Sequence, residues 1–107
     1  MPKVFIPQLP TRWDQATAAR VPAIDVNSAA AFGELVVMFD AATTRTSAIR
    51  RMKTHSREIG RGDLVMAVGD VTLLTLALVH TVLRHGSATL LRWDNDSKSY
   101  RTEVISE

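Results

Sequence analysis

The 107-residue sequence predicts one small α/β domain, with a mostly parallel sheet crossed by two helices. Two continuous apolar runs, at 34–39 and 63–68, each precede a helix-like segment, as parallel strands joined by crossover helices do. Near the C terminus, a polar turn at 94–97 separates two strand-like segments and indicates an antiparallel hairpin. A chain of this length has room for one domain, and no repeat or linker divides it.

The first third of the chain, residues 1–32, is predicted to be an extended arm in front of a core formed by 33–107. Lys3 to Ile6 is a short strand candidate rich in apolar residues. Three prolines follow it, namely Pro7, Pro10 and Pro22. Because proline fixes φ and lacks a backbone N–H, it is confined to the edges of sheets. We therefore expect this segment to lie over the core and outside the central sheet.

The first helix candidate runs from Ala48 to Ile59, and residues 43–47 supply its N-cap candidates. Its apolar stripe is narrow and the remaining surface is basic. Between residues 45 and 61 the net charge is +5, whereas the rest of the chain carries −3. The basic residues are Arg45, Arg50, Arg51, Lys53, Arg57 and Arg61. This surface is a candidate for binding nucleic acid or an acidic protein, and a merely solvated face is the simpler alternative.

The second helix candidate, Val71 to His85, begins after the N-cap candidate Asp70 and ends before Gly86. It is apolar on nearly all sides, which a small chain cannot easily bury. We therefore expect a partner to cover part of it. Together with Trp13, whose large ring is typical of interfaces, the interface candidates are Leu73, Leu76, Leu78, Val79 and Val82.

Strand candidates at 88–93 and 99–105 complete the predicted fold. The first continues the parallel sheet, so that three parallel strands are expected. The second pairs with it as an antiparallel edge strand, because the polar turn between them is too short for a crossover. The predicted architecture is therefore a three-stranded, mostly parallel sheet with an antiparallel C-terminal hairpin strand, two crossover helices and a proline-rich N-terminal arm.

Signatures of catalysis are weak in this sequence. Asp40 and Asp70 each follow an apolar strand, so both are expected at the carboxyl edge of the sheet, where two carboxylates could hold Mg²⁺. A loop residue and a helix N-cap are the simpler interpretations. The chain has no cysteine, and its three histidines lack the spacing of a zinc site. No phosphate-binding glycine motif precedes a helix, so we expect no cofactor and no enzyme activity.

Several short motifs resemble a group of small tailed-bacteriophage proteins of unassigned function. They are Val4-Phe-Ile-Pro-Gln8, Pro10-x-Arg-x-Asp14, Phe32-Gly-Glu-Leu-Val36, Leu64-Val-Met-Ala-Val-Gly-Asp70, and Leu91-Arg-Trp-Asp94 with Tyr100. Where that group often has proline after Gly-Asp, this sequence has Val71. The resemblance implies a viral origin, action in the host bacterial cytoplasm and an accessory or regulatory role outside the virion, and it supplies no catalytic residues.

The sequence as a whole favours a non-enzymatic phage protein that acts by binding macromolecules. The expected partner is a second copy of the chain or a host or phage protein. The first alternative is nucleic-acid binding through the basic helix at 45–61, and the second is a small Mg²⁺-dependent enzyme using Asp40 and Asp70. No segment has the apolar length of a membrane span, and no membrane partner is expected.

Overall fold

A computed structural model describes residues 2–106 and shows a five-stranded sheet with helices on both faces. The strand order is β4-β1-β5-β6-β7, and all neighbours are parallel except β6 and β7. Two further strands form a separate antiparallel pair. The strands are β1 (Lys3–Gln8), β2 (Thr11–Asp14), β3 (Ala19–Pro22), β4 (Glu34–Phe39), β5 (Leu64–Met66), β6 (Ser87–Asp94) and β7 (Ser99–Ser106), and the helices are α1 (Val26–Ala29), α2 (Arg45–His55) and α3 (Val71–His85).

The predicted N-terminal arm is wrong for its first strand, because β1 lies in the middle of the sheet between β4 and β5. Phe5 pairs with a residue of each neighbour and is 1% exposed. The sheet consequently has four parallel strands and five in all, not the predicted three plus one. Pro7 is tolerated because it lies two residues beyond Phe5, the last residue of β1 in register with β5.

Alternating side chains along the central strands fill two separate apolar cores. Phe5 and Val65 face α2 and α3 in one core, whereas Val4 and Ile6 belong to the other core, on the face that α1 covers. The connection from β1 to β4 runs in one direction across the sheet, and the connection from β4 to β5 runs in the other, past β1. Since crossovers are right-handed, such connections place their helices on opposite faces of a sheet.

The helix ends carry the caps that the sequence indicates. Asp70 accepts hydrogen bonds from the backbone N–H groups of Thr72 and Leu73 at the start of α3. Gly86 ends the helix in the left-handed conformation, at φ +83°. The α2 helix begins earlier than predicted, with Thr44 as its N-cap, and its last predicted turn is a 3₁₀ segment at Ser56–Glu58.

Two hairpins in the chain have turns of the same kind. The predicted hairpin between β6 and β7 follows Trp93-Asp94, and the Asp94 carboxylate accepts from a backbone N–H and from a hydroxyl three residues later. An unpredicted hairpin, formed by β2 and β3, follows Trp13-Asp14 with the same pattern of bonds. The similarity of the two Arg-Trp-Asp segments in the sequence is therefore a signal for a common turn.

Within residues 2–106, no helix combines the length and the apolar character needed to cross a bilayer.

Candidate macromolecular interface

An apolar groove of about 380 Å³ lies between the outer flank of α3 and strand β7. The helix contacts β6, β5 and β1, so it covers the middle of the sheet and leaves β7 bare on this face. A tight turn joins β6 to β7, so their connection carries no helix that would cover β7 on this face. The groove therefore exists because β6 and β7 are joined as a hairpin. Its lining residues are Thr75, Leu78, Val79, Val82, Leu83 and Ile105.

The side chains of α3 divide between the core and this groove. Leu73 is completely buried in the chain's own core, so its prediction as an interface residue is wrong. Leu76 is partly buried against the same core. By contrast, Leu78, Val79 and Val82 line the groove as the interface prediction requires. The chain thus encloses one side of the apolar helix and leaves the other side accessible.

Two apolar residues of the groove were not among the interface residues predicted from the sequence. Leu83 is 71% exposed, near the end of α3, and Ile105 is 37% exposed on β7. Leu83 could have been found, because it lies four residues after Val79 on the same helical face. Ile105 could not, because only the pairing of β7 with β6 shows which face of the sheet it joins.

A basic pocket of about 360 Å³ adjoins the groove, and Leu83 lines both. It lies between the end of α2 and the last two turns of α3. Arg84 is held there by a hydrogen bond of 3.0 Å from its Nη1 to the Ser56 carbonyl oxygen. Lys53 and Arg57 form no ion pair with any residue in the described part of the chain. The full lining is Lys53, Ser56, Arg57, His80, Leu83 and Arg84.

The six predicted basic residues do not form one continuous surface. Arg45 turns toward α3, where its Nε lies 3.2 Å from the Asp70 carboxylate. The Arg51 guanidinium lies over the Phe39 ring, 5.4 Å from its centroid. Arg50 is exposed on the same side of α2 as Lys53, which follows it by three positions. Arg61 is exposed in the turn beyond the 3₁₀ segment.

The carboxylates of Asp40 and Asp70 are bound to their own loops. Asp40 accepts hydrogen bonds from the backbone N–H groups of Ala42 and Thr43 and from the Thr43 hydroxyl. These bonds, the Thr43 hydroxyl foremost, lower the pKa of Asp40 below its usual value of 3.8. Strand β1 separates the two strands that these residues follow. Among residues 2–106, no three His, Asp or Glu side chains are grouped as a metal site would require.

Trp13 is 58% exposed on the β2–β3 hairpin, as an interface role would require, but it lies apart from the residues that line the groove. A smaller cavity of about 300 Å³ lies on the α1 face, where Trp93 and Tyr100 form one wall. The Tyr100 hydroxyl donates a hydrogen bond to the Asp25 carbonyl oxygen. Burial raises the pKa of this phenol. This cavity is a further concave surface, on the face of the sheet that α1 covers.

Comparison with known proteins places the chain in a viral family. No curated protein and no solved structure matches it significantly. The family model described as "Phage Pam3 gp32-like protein" matches residues 2–106, which is nearly the whole chain. This match confirms the resemblance to small phage proteins. The chain belongs to the family of Phage Pam3 gp32-like proteins.

Proposed function

We propose that this phage-family protein acts by binding another protein chain and catalyses no reaction. The groove between α3 and β7 is the proposed contact surface. The observation that supports the proposal is the exposure of α3: Val79 is 45% exposed and Leu83 is 71% exposed, next to a bare strand. Apolar side chains that are grouped on one concave surface are typical of binding sites.

Covering this groove would be energetically favourable. Each square ångström of apolar surface removed from water contributes about 25 cal/mol. The groove is also preformed, because its wall is a fifteen-residue helix with caps at both ends. A partner would therefore gain apolar burial without the cost of ordering this part of the chain. In the proposal the partner is a second copy or a host or phage protein, met in the cytoplasm of the infected bacterium.

The test compares two substitutions of valine by glutamate. Val79→Glu places a charge in the groove, whereas Val37→Glu places one on β4, at the opposite edge of the sheet. The two valines have nearly equal exposure, 45% and 43%, so both changes should cost a similar amount of stability. Circular dichroism and thermal melting establish that both variants fold.

Wild-type protein and both variants are then examined by light scattering after size exclusion, and by crosslinking in a lysate of infected cells. We expect the wild-type chain to form a defined complex, with itself or with another protein. Val79→Glu should abolish that complex and Val37→Glu should retain it. A complex that Val79→Glu leaves intact would place the contact surface elsewhere, and a wild-type chain without any complex would contradict the proposal.

Nucleic-acid binding is the second candidate function, supported by the cations that meet at the basic pocket. Lys53 of α2, Arg57 of the 3₁₀ segment and Arg84 of α3 line this pocket, and Arg50 precedes Lys53 by one helical turn. The test is a titration of labelled DNA, single- and double-stranded, at several salt concentrations. Binding through these residues should weaken steeply with salt, because phosphate contacts release counterions. Retained affinity after Lys53→Glu with Arg57→Glu would exclude this surface.

A further inference from the structure

We propose that the occupant of the groove is an amphipathic helix whose flank carries acidic side chains. This inference rests on the proposed function and adds the chemistry of the partner. One stripe of the helix would pack against Leu78, Val79, Val82 and Ile105. Its carboxylates would lie over Leu83 and meet the basic pocket.

The shape of the groove fits a helix. Helices packed on one sheet face lie about 10 Å apart, which is the width of about two strands. Because α3 covers β5 and β6, the next position on this face lies over β7. No element formed by residues 2–106 occupies that position, since the turn after β6 leads directly into β7. The vacant space has an apolar wall along α3 and an apolar floor at Ile105.

The charge beside the groove is one-sided. Lys53, Arg57 and Arg84 line the adjoining pocket, and none of its lining residues is acidic. Arg84 is oriented by the Ser56 carbonyl, and the other two cations have no ion-pair partner within residues 2–106. Carboxylates placed at this rim would gain charge-assisted hydrogen bonds and would be attracted during the encounter.

A second copy of the chain matches this surface less well. In a two-fold dimer the same patch of both copies meets, so the acidic groups must come from the patch itself. The β6–β7 pair carries two acidic residues: Glu103, two positions from Ile105, and Asp94, at the other end of the hairpin. Both are already in ion pairs, with Arg92 and Arg101 respectively. A separate acidic helix supplies the charge that a second copy lacks.

Nucleic acid matches only half of the surface. Its phosphates would pair with the basic pocket but would gain nothing from Val79 and Leu78 beside it. An amphipathic helix accounts for the apolar groove and the cations together. The binding mode is the one in which an apolar helix face fills a groove and flanking charges select the partner.

The experiment uses two designed peptides of about 18 residues, or five helical turns. Both carry the same leucine stripe, and the flanks carry glutamate in one and lysine in the other. Fluorescence anisotropy of labelled peptide measures binding to the full chain. We expect the glutamate peptide to bind about tenfold more tightly than the lysine peptide at low salt, with the difference shrinking as salt rises.

Two double charge reversals then locate the effect. Lys53→Glu with Arg57→Glu should remove or invert the preference for the glutamate peptide. Arg12→Glu with Arg20→Glu changes the net charge equally, but on the exposed β2–β3 hairpin, and should preserve the preference. Val79→Glu should abolish binding of both peptides, because it removes the shared apolar contact.

The failure of this inference can be told apart from the failure of the proposed function. Equal binding of both peptides, lost in Val79→Glu, would overturn the acidic partner and support the groove. Binding that survives Val79→Glu, or no binding of either peptide, would also overturn the inference. A stable wild-type dimer that Val79→Glu dissociates would overturn it too, since a second copy would then occupy the groove, and the proposed function would stand.

Discussion

The position of Phe5 at the centre of the sheet makes a strong prediction about stability. Its side chain is 1% exposed and packs in the core that contains Met52, Val65 and Leu73. Replacing a buried phenylalanine by alanine removes its packing and leaves a cavity, at a cost of about 3–5 kcal/mol. Since small domains are stable by about 5–15 kcal/mol, Phe5→Ala should remove a large part of the free energy of unfolding.

Urea unfolding measures this loss. For an m-value of about 1.5 kcal/mol per molar urea, a loss of about 4 kcal/mol lowers the midpoint by about 2.7 M. Should Phe5→Ala fail to fold, Phe5→Leu keeps most of the apolar volume and should cost about 1–1.5 kcal/mol. Both variants keep Trp93 as the fluorescent probe of the β6–β7 region.

Trp13→Ala on the exposed hairpin is the control and should change stability by less than about 0.5 kcal/mol. If residues 1–32 were an arm that merely lies over the core, the result for Phe5→Ala would differ. The substitution would then cost little more unfolding free energy than Trp13→Ala, and the urea midpoint would hardly move. A loss of under about 1 kcal/mol would therefore refute the placement of β1 between β4 and β5.

Three further predictions concern backbone strain, pH and one buried hydroxyl. Gly69→Ala should lower the melting temperature more than Gly62→Ala. Both glycines have φ near +85°, but of the two only Gly69 would place a Cβ against a neighbour, 2.6 Å from the Gln8 carbonyl oxygen. Because the pKa of Asp40 in the folded chain is lowered from 3.8, its carboxylate stabilises the fold above pH 3.8, and this stability is lost as the pH falls through the lowered pKa. Asp40→Asn should therefore reduce the difference in unfolding free energy between neutral and acidic pH. Equal pH dependence in both proteins would refute that assignment. Tyr100→Phe should cost about 0.5–1.5 kcal/mol in urea unfolding, because it removes the hydrogen bond from the phenol to the Asp25 carbonyl oxygen, which keeps only the Ala29 N–H as a donor.

The groove shows how a local connection decides what a sheet exposes. In this chain the final connection is a hairpin turn that begins at Asp94, and it brings β7 back beside β6 without a covering helix. The apolar flank of α3 consequently faces open space over β7. A longer connection carrying a helix would bury Val79 and Leu83 within the chain. The hairpin and the exposed groove are therefore one structural feature.

The sequence indicated the apolar helix that forms one wall of the groove but not the residues around it. The apolar helix at 71–85 indicated a covered face, and three of its five candidate residues line the groove. The basic pocket combines Lys53 of α2 with Arg84 of α3, which are far apart in sequence. No periodicity within one helix indicates which neighbour it packs against, so this combination could not be predicted.

What the sequence determined by itself is local. Helix α3 begins and ends where Asp70 and Gly86 predict, because a cap needs only the backbone groups of the next few residues. Strand β4 also has its predicted bounds, since a run of apolar residues favours a buried strand wherever it pairs. Pairing between distant strands was decided only in the tertiary structure. Pro7 indicated an edge strand, yet β1 is central. Strand β5 is short enough to end before the proline, and the burial of Phe5, whose backbone pairs with β4 and β5, outweighs the local signal.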